Sequence, residues 1–497
     1  MALDLDRYRE AAQTFVSDLD REYYLQDAGL KEELEIEGIY DRAGWLFEPD
    51  SVAALHEARD AATDREDARR LRYLLAFALE GCLGRATRFE AKEAAKLEAT
   101  LEVEVNGAAI PYRQVSVAQA NEADGSRRAE LEQARDELLA DRLNPLHVVA
   151  LERSHGVCRD LGWSGYADAL ASVRRIDFER LAAQTHAFLE ATDGIYPALV
   201  DPALDRLGLS PLGELDRADL PRFFRAPDLD HSFPEDRLVA SLDATLAGLG
   251  VDLRAQHGVH LDTEPRPTKS PRAFCSPIRV PDEIYLVIAP VGGRDDYGAL
   301  FHEAGHTEHY ANTEAALAFE YRHLGDNSVT ESFAFLLEHL CEDPRWLSRC
   351  LEIDDPDGAI THARAARLVF LRRYAAKIAY ELELHAGAPD LDAMPARYAE
   401  LLGGGMRVRW PKSGWIADVD SGFYVACYLR AWALETHWRR ALRERFGESW
   451  FESAEAGGWL RGLWANGQRL DGEELLAEEL GEELDFAAVA DEVAGWA

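Results

Sequence analysis

The sequence predicts a mainly α protein with a small β-sheet beside two helices that carry its chemistry. Three observations lead there. Apolar residues recur at three-to-four spacing through most of the 497 residues. Alternating or β-rich patterns are confined to short segments near residues 101–117 and 273–288. A His-Glu-x-x-His core, His302-Glu303-Ala304-Gly305-His306, follows the second of these. A chain of this length can bury a large core and supports more than one domain. The expected division is a helical N-terminal lobe with a hairpin, 1–195, and a lobe bearing the histidine motif, 196–497.

Taken in order, 3–19 and 51–99 read as amphipathic helices among acids and arginines, whose charges suit a solvated face. L-E-V-E-V, a turn at Asn106-Gly107 and I-P-Y-R-Q-V-S-V then predict a hairpin over 101–117. Helices return over 127–161 and 177–199, and Gly and Pro make 207–219 a loop. After a helix over 234–248, strands are expected at 273–280 and 283–288, joined by Pro281-Asp282. Gly292-Gly293 should end the sheet before the histidine motif. Beyond Leu340 the pattern is helical again: 360–386, 394–402 and 422–446. Gly403-Gly404-Gly405 reads as a mobile loop, because three adjacent glycines are costly to order.

The charge balance is strongly acidic, 91 Asp and Glu against 54 Lys and Arg, net -37. Such a surface repels phosphate and argues against a nucleic-acid partner. Only six of the basic residues are Lys, a bias that fits either a salt-adapted surface or a GC-rich genome. Six scattered cysteines without a CxxC pair suit a reducing compartment. With no basic-apolar leader at the start and no long apolar run, the expectation is a cytoplasmic protein without a membrane span.

On a helix, His302 and His306 lie on one face and can reach a single ion. Glu303 sits one step round, where a carboxylate can take a proton from a water that the ion activates. A catalytic zinc needs a third protein ligand, and Glu331, twenty-five residues past His306, can supply it. Spacing alone leaves that choice open. Ser328-Val329-Thr330-Glu331 also fits a capping box, and Glu308, Glu314, Glu320 and Glu338 are rival carboxylates. Glu338 and His309 share faces with the ligands and suit roles behind them or toward substrate. Tyr424 and Tyr428, one turn apart, can donate to a developing oxyanion, and Arg430 can hold a peptide carboxylate.

The run D-D-Y-G-A-L-F-H-E-A-G-H-T-E-H-Y resembles the metal helix of the thimet oligopeptidase and oligoendopeptidase F family. Asp296, His302, Glu303, Gly305, His306 and His309 match its pattern. V-T-E-S-F-A-F-L-L-E resembles the family's second helix, which implies Glu331 as third zinc ligand and Glu338 as an outer group. S-P-R-A-F-C-S-P is similar to the strand over which such enzymes lay substrate, and F-Y-V-A-C-Y echoes an aromatic segment. The specific motifs span about residues 270–435. Asp418 stands where the family usually has a substrate-facing histidine, and Phe423 and Arg430 stand at usual tyrosine positions. The resemblance implies a two-lobed helical zinc-peptidase fold with a deep channel, Zn2+ as cofactor and short unstructured peptides as substrates. The expected activity is internal peptide hydrolysis. The rivals are a metallocarboxypeptidase, with Arg430 or Arg409 gripping the terminal carboxylate, and a peptide-binding protein without turnover.

Overall fold

A computed structural model describes residues 3–354, 356–387 and 389–496 of the chain. The protein is mainly helical, with a two-stranded hairpin and one three-stranded sheet. No helix among the described residues is long and apolar enough to cross a membrane. Two compact units form, each assembled from separated stretches. The first combines Met1–Ala78, Leu229–Ile360 and Arg430–Ala488; the second combines Leu79–Asp228, Thr361–Leu429 and Val489–Ala497. The expected single division at residue 195 is not among these boundaries.

In the first unit, strands Phe274–Arg279 and Glu283–Val287 pair antiparallel, as their composition predicts. A third strand, Val259–Asp262, adds in parallel to Glu283–Val287, making the latter central and leaving Phe274–Arg279 at an edge. This third strand is too short to carry a pattern of its own. The N-terminal helix Leu5–Asp27 packs on the edge strand. Tyr24 stacks on Tyr285 with ring centroids 3.8 Å apart, and the Ser276 hydroxyl donates to the Asp20 carbonyl at 3.4 Å.

Burial beside this strand pushes the Asp20 carboxyl up from 3.8 to about 7. An acid with a raised folded pKa is favourable to folding below its unfolded value, and that stability is lost as pH rises through the folded value. Asp20→Asn should therefore stabilise the fold at pH 8 by ~2–4 kcal/mol and change it little near pH 3. Urea midpoints of both proteins at the two pH values check this, and an equal effect at both would refute the assignment.

Val291-Gly292-Gly293 turns the chain from the sheet into the histidine helix, Arg294–Ala311. Gly292 and Gly293 take φ of 86° and 90°, which L side chains rarely adopt. The Asp296 carboxylate fastens the turn, accepting from the backbone N–H of Val291 at 2.6 Å and of Gly292 at 2.8 Å. The glutamate helix, Asn327–Glu338, packs tightly along the histidine helix. Gly305 is the reason it can. A Cβ there would lie 2.4 Å from the Phe333 carbonyl oxygen and 2.5 Å from the Ala334 Cα. Backbone cannot yield as a side chain does, so Gly305→Ala should cost ~1–3 kcal/mol of stability and push the helices apart. Unchanged denaturation midpoints would contradict this packing.

In the second unit the hairpin forms with strands Glu102–Val105 and Ala108–Pro111. Asn106 and Gly107 at φ 53° and 77° make its two-residue turn. Its second strand stops at Pro111, and Val115–Asn121 is helical rather than extended. The three glycines also depart from expectation: they continue the helix Met394–Met406 instead of interrupting it. A Cβ on Gly405 would meet the Ala376 Cβ at 2.7 Å, so close packing on the helix Asp357–Leu384 offsets the poor helix propensity of glycine.

Candidate metal centre

Local chemistry sets the two helices that build the centre. Asp326 caps the glutamate helix, its carboxylate accepting from the Ser328 N–H at 3.0 Å. Ser328 is thus inside the helix, and the capping-box reading of Ser328 and Glu331 does not hold. Glu331, released from that duty, lies a turn further in and turns toward the histidine helix. Its Oε2 is 3.3 Å from His302 Nε2 and 3.6 Å from His306 Nε2. Donors bound to one tetrahedral zinc at ~2.0–2.1 Å would stand about 3.3–3.4 Å apart. Both separations are close to that edge length. Candidate ligand atoms of His302, His306 and Glu331 all lie within 4.8 Å of one another, and no other such group of three occurs among the described residues.

Both imidazoles are held from behind, as ligand histidines generally are. His302 Nδ1 bonds Glu338 Oε2 at 2.9 Å, and His306 Nδ1 bonds Thr330 Oγ1 at 2.8 Å. Each ring therefore presents Nε2 to Glu331. Phe335 packs edge-on against His302 and is backed by Trp432, which fixes the first ring further. Burial alone would lower the His302 pKa, but hydrogen bonds to Glu331 and Glu338 outweigh it and raise it well above 6.5. Burial would raise Glu331, yet its bonds to His302 and His306 hold it well below the usual carboxylate range. The arrangement is one that favours positive charge between these side chains.

Glu303 turns to the other side. Its Oε2 accepts from the Cys275 backbone N–H at 2.8 Å, off the edge of the sheet. One carboxylate oxygen is thereby anchored, and the acid is placed between the histidine helix and the edge strand.

The rival carboxylates have other occupations. Glu308 is fully buried, bonded to Gln256 and Asn312. Glu320 pairs with Arg9 at 2.7 Å and Arg70 at 3.2 Å. Glu314 is exposed. Glu338 is bonded to His302 Nδ1.

Three other expected site residues are placed elsewhere. His309 is fully buried, bonded to the Gly467 carbonyl at 3.2 Å and packed on Phe333, so it cannot face a substrate. Burial lowers its pKa to about 3, keeping it neutral. By contrast the side chains of His302 and His306 are 19% and 13% exposed, so solvent reaches them. Asp296 shapes the turn before the helix rather than supporting a ligand. Arg430 is buried and doubly paired: Nη1 and Nη2 meet Asp326 at 3.0 and 2.7 Å, and Nε meets Glu473 at 2.9 Å. Because Asp326 is the cap, Arg430 fixes the start of the glutamate helix and is not available to grip a peptide carboxylate.

Tyr424 and Tyr428 belong to the second unit. They pack edge-to-face on each other at 4.9 Å, and Tyr428 likewise on Tyr374. In the same unit Asp418 is paired with Arg373 and accepts from the Tyr398 hydroxyl at 2.7 Å. Phe423 is buried against Tyr166, Phe178 and His385. Arg409 is exposed and forms a bidentate pair with Asp216 at 2.6 Å. The first unit supplies Thr330 and Tyr310 beside His306, which sequence reasoning passed over. Tyr310 follows His302 and His306 at helical spacing, a signal present in the sequence. No protein-family model matches the chain, and no curated protein matches it.

Proposed function

We propose that the chain is a zinc-dependent peptidase that cuts internal bonds of short unstructured peptides. The observation that carries the reading is the convergence of His302, His306 and Glu331, with Glu303 on the helix of the two histidines and tied to a strand edge. The resemblance of the two helices to the oligopeptidase family supports it. Reducing surroundings, such as the cytoplasm, suit six cysteines that form no disulfide.

His302, His306 and Glu331 would hold the ion. A zinc ion at such ligands supplies a Lewis acid for the scissile carbonyl and lowers the pKa of water to about 7. Glu303 accepts the proton of the attacking water and passes it to the leaving amine. Its bond to the Cys275 N–H keeps one oxygen fixed and leaves the other to take the proton, which restricts the rotamers the acid must search. Substrate laid along the edge strand Phe274–Arg279 would bring its scissile bond beside this acid.

Digestion of a mixed peptide pool, read by mass, tests the reading. Internal cuts that require zinc are expected. Products shortened only from the C-terminus would replace it with a carboxypeptidase, and saturable binding without cleavage would replace it with a peptide-binding role.

A further inference from the structure

The two imidazoles are backed by different chemistry. Behind His302 stands a carboxylate, Glu338, which can only accept when ionised. Behind His306 stands a hydroxyl, which can accept or donate. A hydroxyl is an ambiguous partner for an imidazole. If Thr330 donated to Nδ1, the neutral ring would carry its proton on Nε2, facing Glu331, and that nitrogen could not bind a cation. If Thr330 accepts from Nδ1–H, the Nε2 lone pair is free for one.

A second side chain bears on the choice. The Tyr310 phenol stands beside the Thr330 side chain, where it can take the threonine proton. Tyr310 lies one turn beyond His306, with its ring near parallel to the imidazole at 20° and centroids 6.3 Å apart. Thr330 is 3% exposed, so water has little access to replace either partner. Tyr310 gives the threonine proton somewhere to go. With Oγ–H directed at the phenol oxygen, the threonine lone pairs are left for His306 Nδ1–H. The order His306 to Thr330 to Tyr310 then fixes the tautomer in which Nε2 is the donor to the metal.

We infer that Thr330 and Tyr310 are positioning residues that set the His306 tautomer for cation binding. The inference rests on the metal-site reading above and adds to it two groups that touch neither substrate nor ion. It distinguishes this centre from one in which both histidines lean on carboxylates. Only one of the two rings has anionic support here. The other depends on a neutral relay, and such supporting groups typically carry ~10–100-fold of metal affinity.

The test is zinc affinity of the purified full chain, measured by competition with a chromophoric chelator, for wild type, Thr330→Val, Thr330→Ser and Tyr310→Phe. Valine keeps the shape of threonine and removes the hydroxyl. Zinc binding by Thr330→Val should weaken ~10–100-fold. Thr330→Ser, which restores only the hydroxyl, should bind within about threefold of wild type, and Tyr310→Phe should weaken binding by less than Thr330→Val. Melting curves of the zinc-free proteins separate affinity from folding. Should Thr330→Val not fold, Tyr310→Phe alone decides, because phenylalanine retains the packing. Wild-type affinity in both Thr330→Val and Tyr310→Phe would overturn the inference and leave the metal site standing. Failure of the wild type to bind zinc at all would instead remove the metal-site reading and the inference with it.

Discussion

Glu303→Gln is expected to keep zinc and to lower peptide hydrolysis by ~10²–10⁴-fold. Glutamine has nearly the shape of glutamate, and its amide oxygen can still accept from the Cys275 N–H. The helices and the three converging ligands should therefore be undisturbed. What disappears is the group that takes and returns a proton. Turnover on a peptide that the wild type cleaves, together with metal content of the same samples, reads both halves of the expectation. Full activity in the variant would remove Glu303 from the reaction, while loss of zinc would mean that the residue holds the centre together instead.

The second large effect is expected at Glu331. Supporting residues around a metal site are worth ~10–100-fold in affinity, and a direct ligand should exceed the upper end of that range. Glu331→Ala should therefore weaken zinc binding by more than ~100-fold and abolish hydrolysis. It leaves His302 with Glu338 as its remaining carboxylate partner and takes away the anion that both Nε2 atoms face. Competition titration measures the change. A variant with undiminished zinc affinity would pass the third-ligand role to another group and break the proposed centre.

How much of this could be read beforehand depends on whether the cause was local. His302 and His306 share a face because of helical geometry within four residues, so their pairing was legible. The hairpin turn at Asn106-Gly107 and the two strands before the histidine helix were legible for the same reason: turn chemistry and alternation are short-range signals. Spacing leaves Glu331 among rival carboxylates and only the resemblance of its helix singles it out; what separates it physically from Glu308 and Glu320 is packing. The glycine that admits the second helix, Gly305, was visible; the contacts it permits were not.

The fate of Arg430 could not be read from its own segment. Its partners Asp326 and Glu473 are 104 and 43 residues away, and they turn a plausible substrate-binding arginine into a helix anchor. His309 illustrates the same point. It lies two turns past His302 and one past His306, yet the Gly467 carbonyl, 158 residues on, draws it into the core. The run of three glycines misled in the opposite direction, because entropy argues for a loop and only the neighbouring helix reveals why none is needed there. Of the two groups behind the histidines, the hydroxyl of Thr330 was the harder to foresee, since such partners have no motif.

X-ray absorption at the zinc edge on the purified, zinc-loaded chain is the most direct test of the centre. One zinc per chain is expected, with two imidazole nitrogens at ~2.0–2.1 Å and carboxylate oxygen at ~2.0–2.2 Å, and the imidazole scattering should fall in His302→Ala and His306→Ala. Sulfur in the first shell, or an unchanged spectrum in those two variants, would place the metal elsewhere and contradict the account.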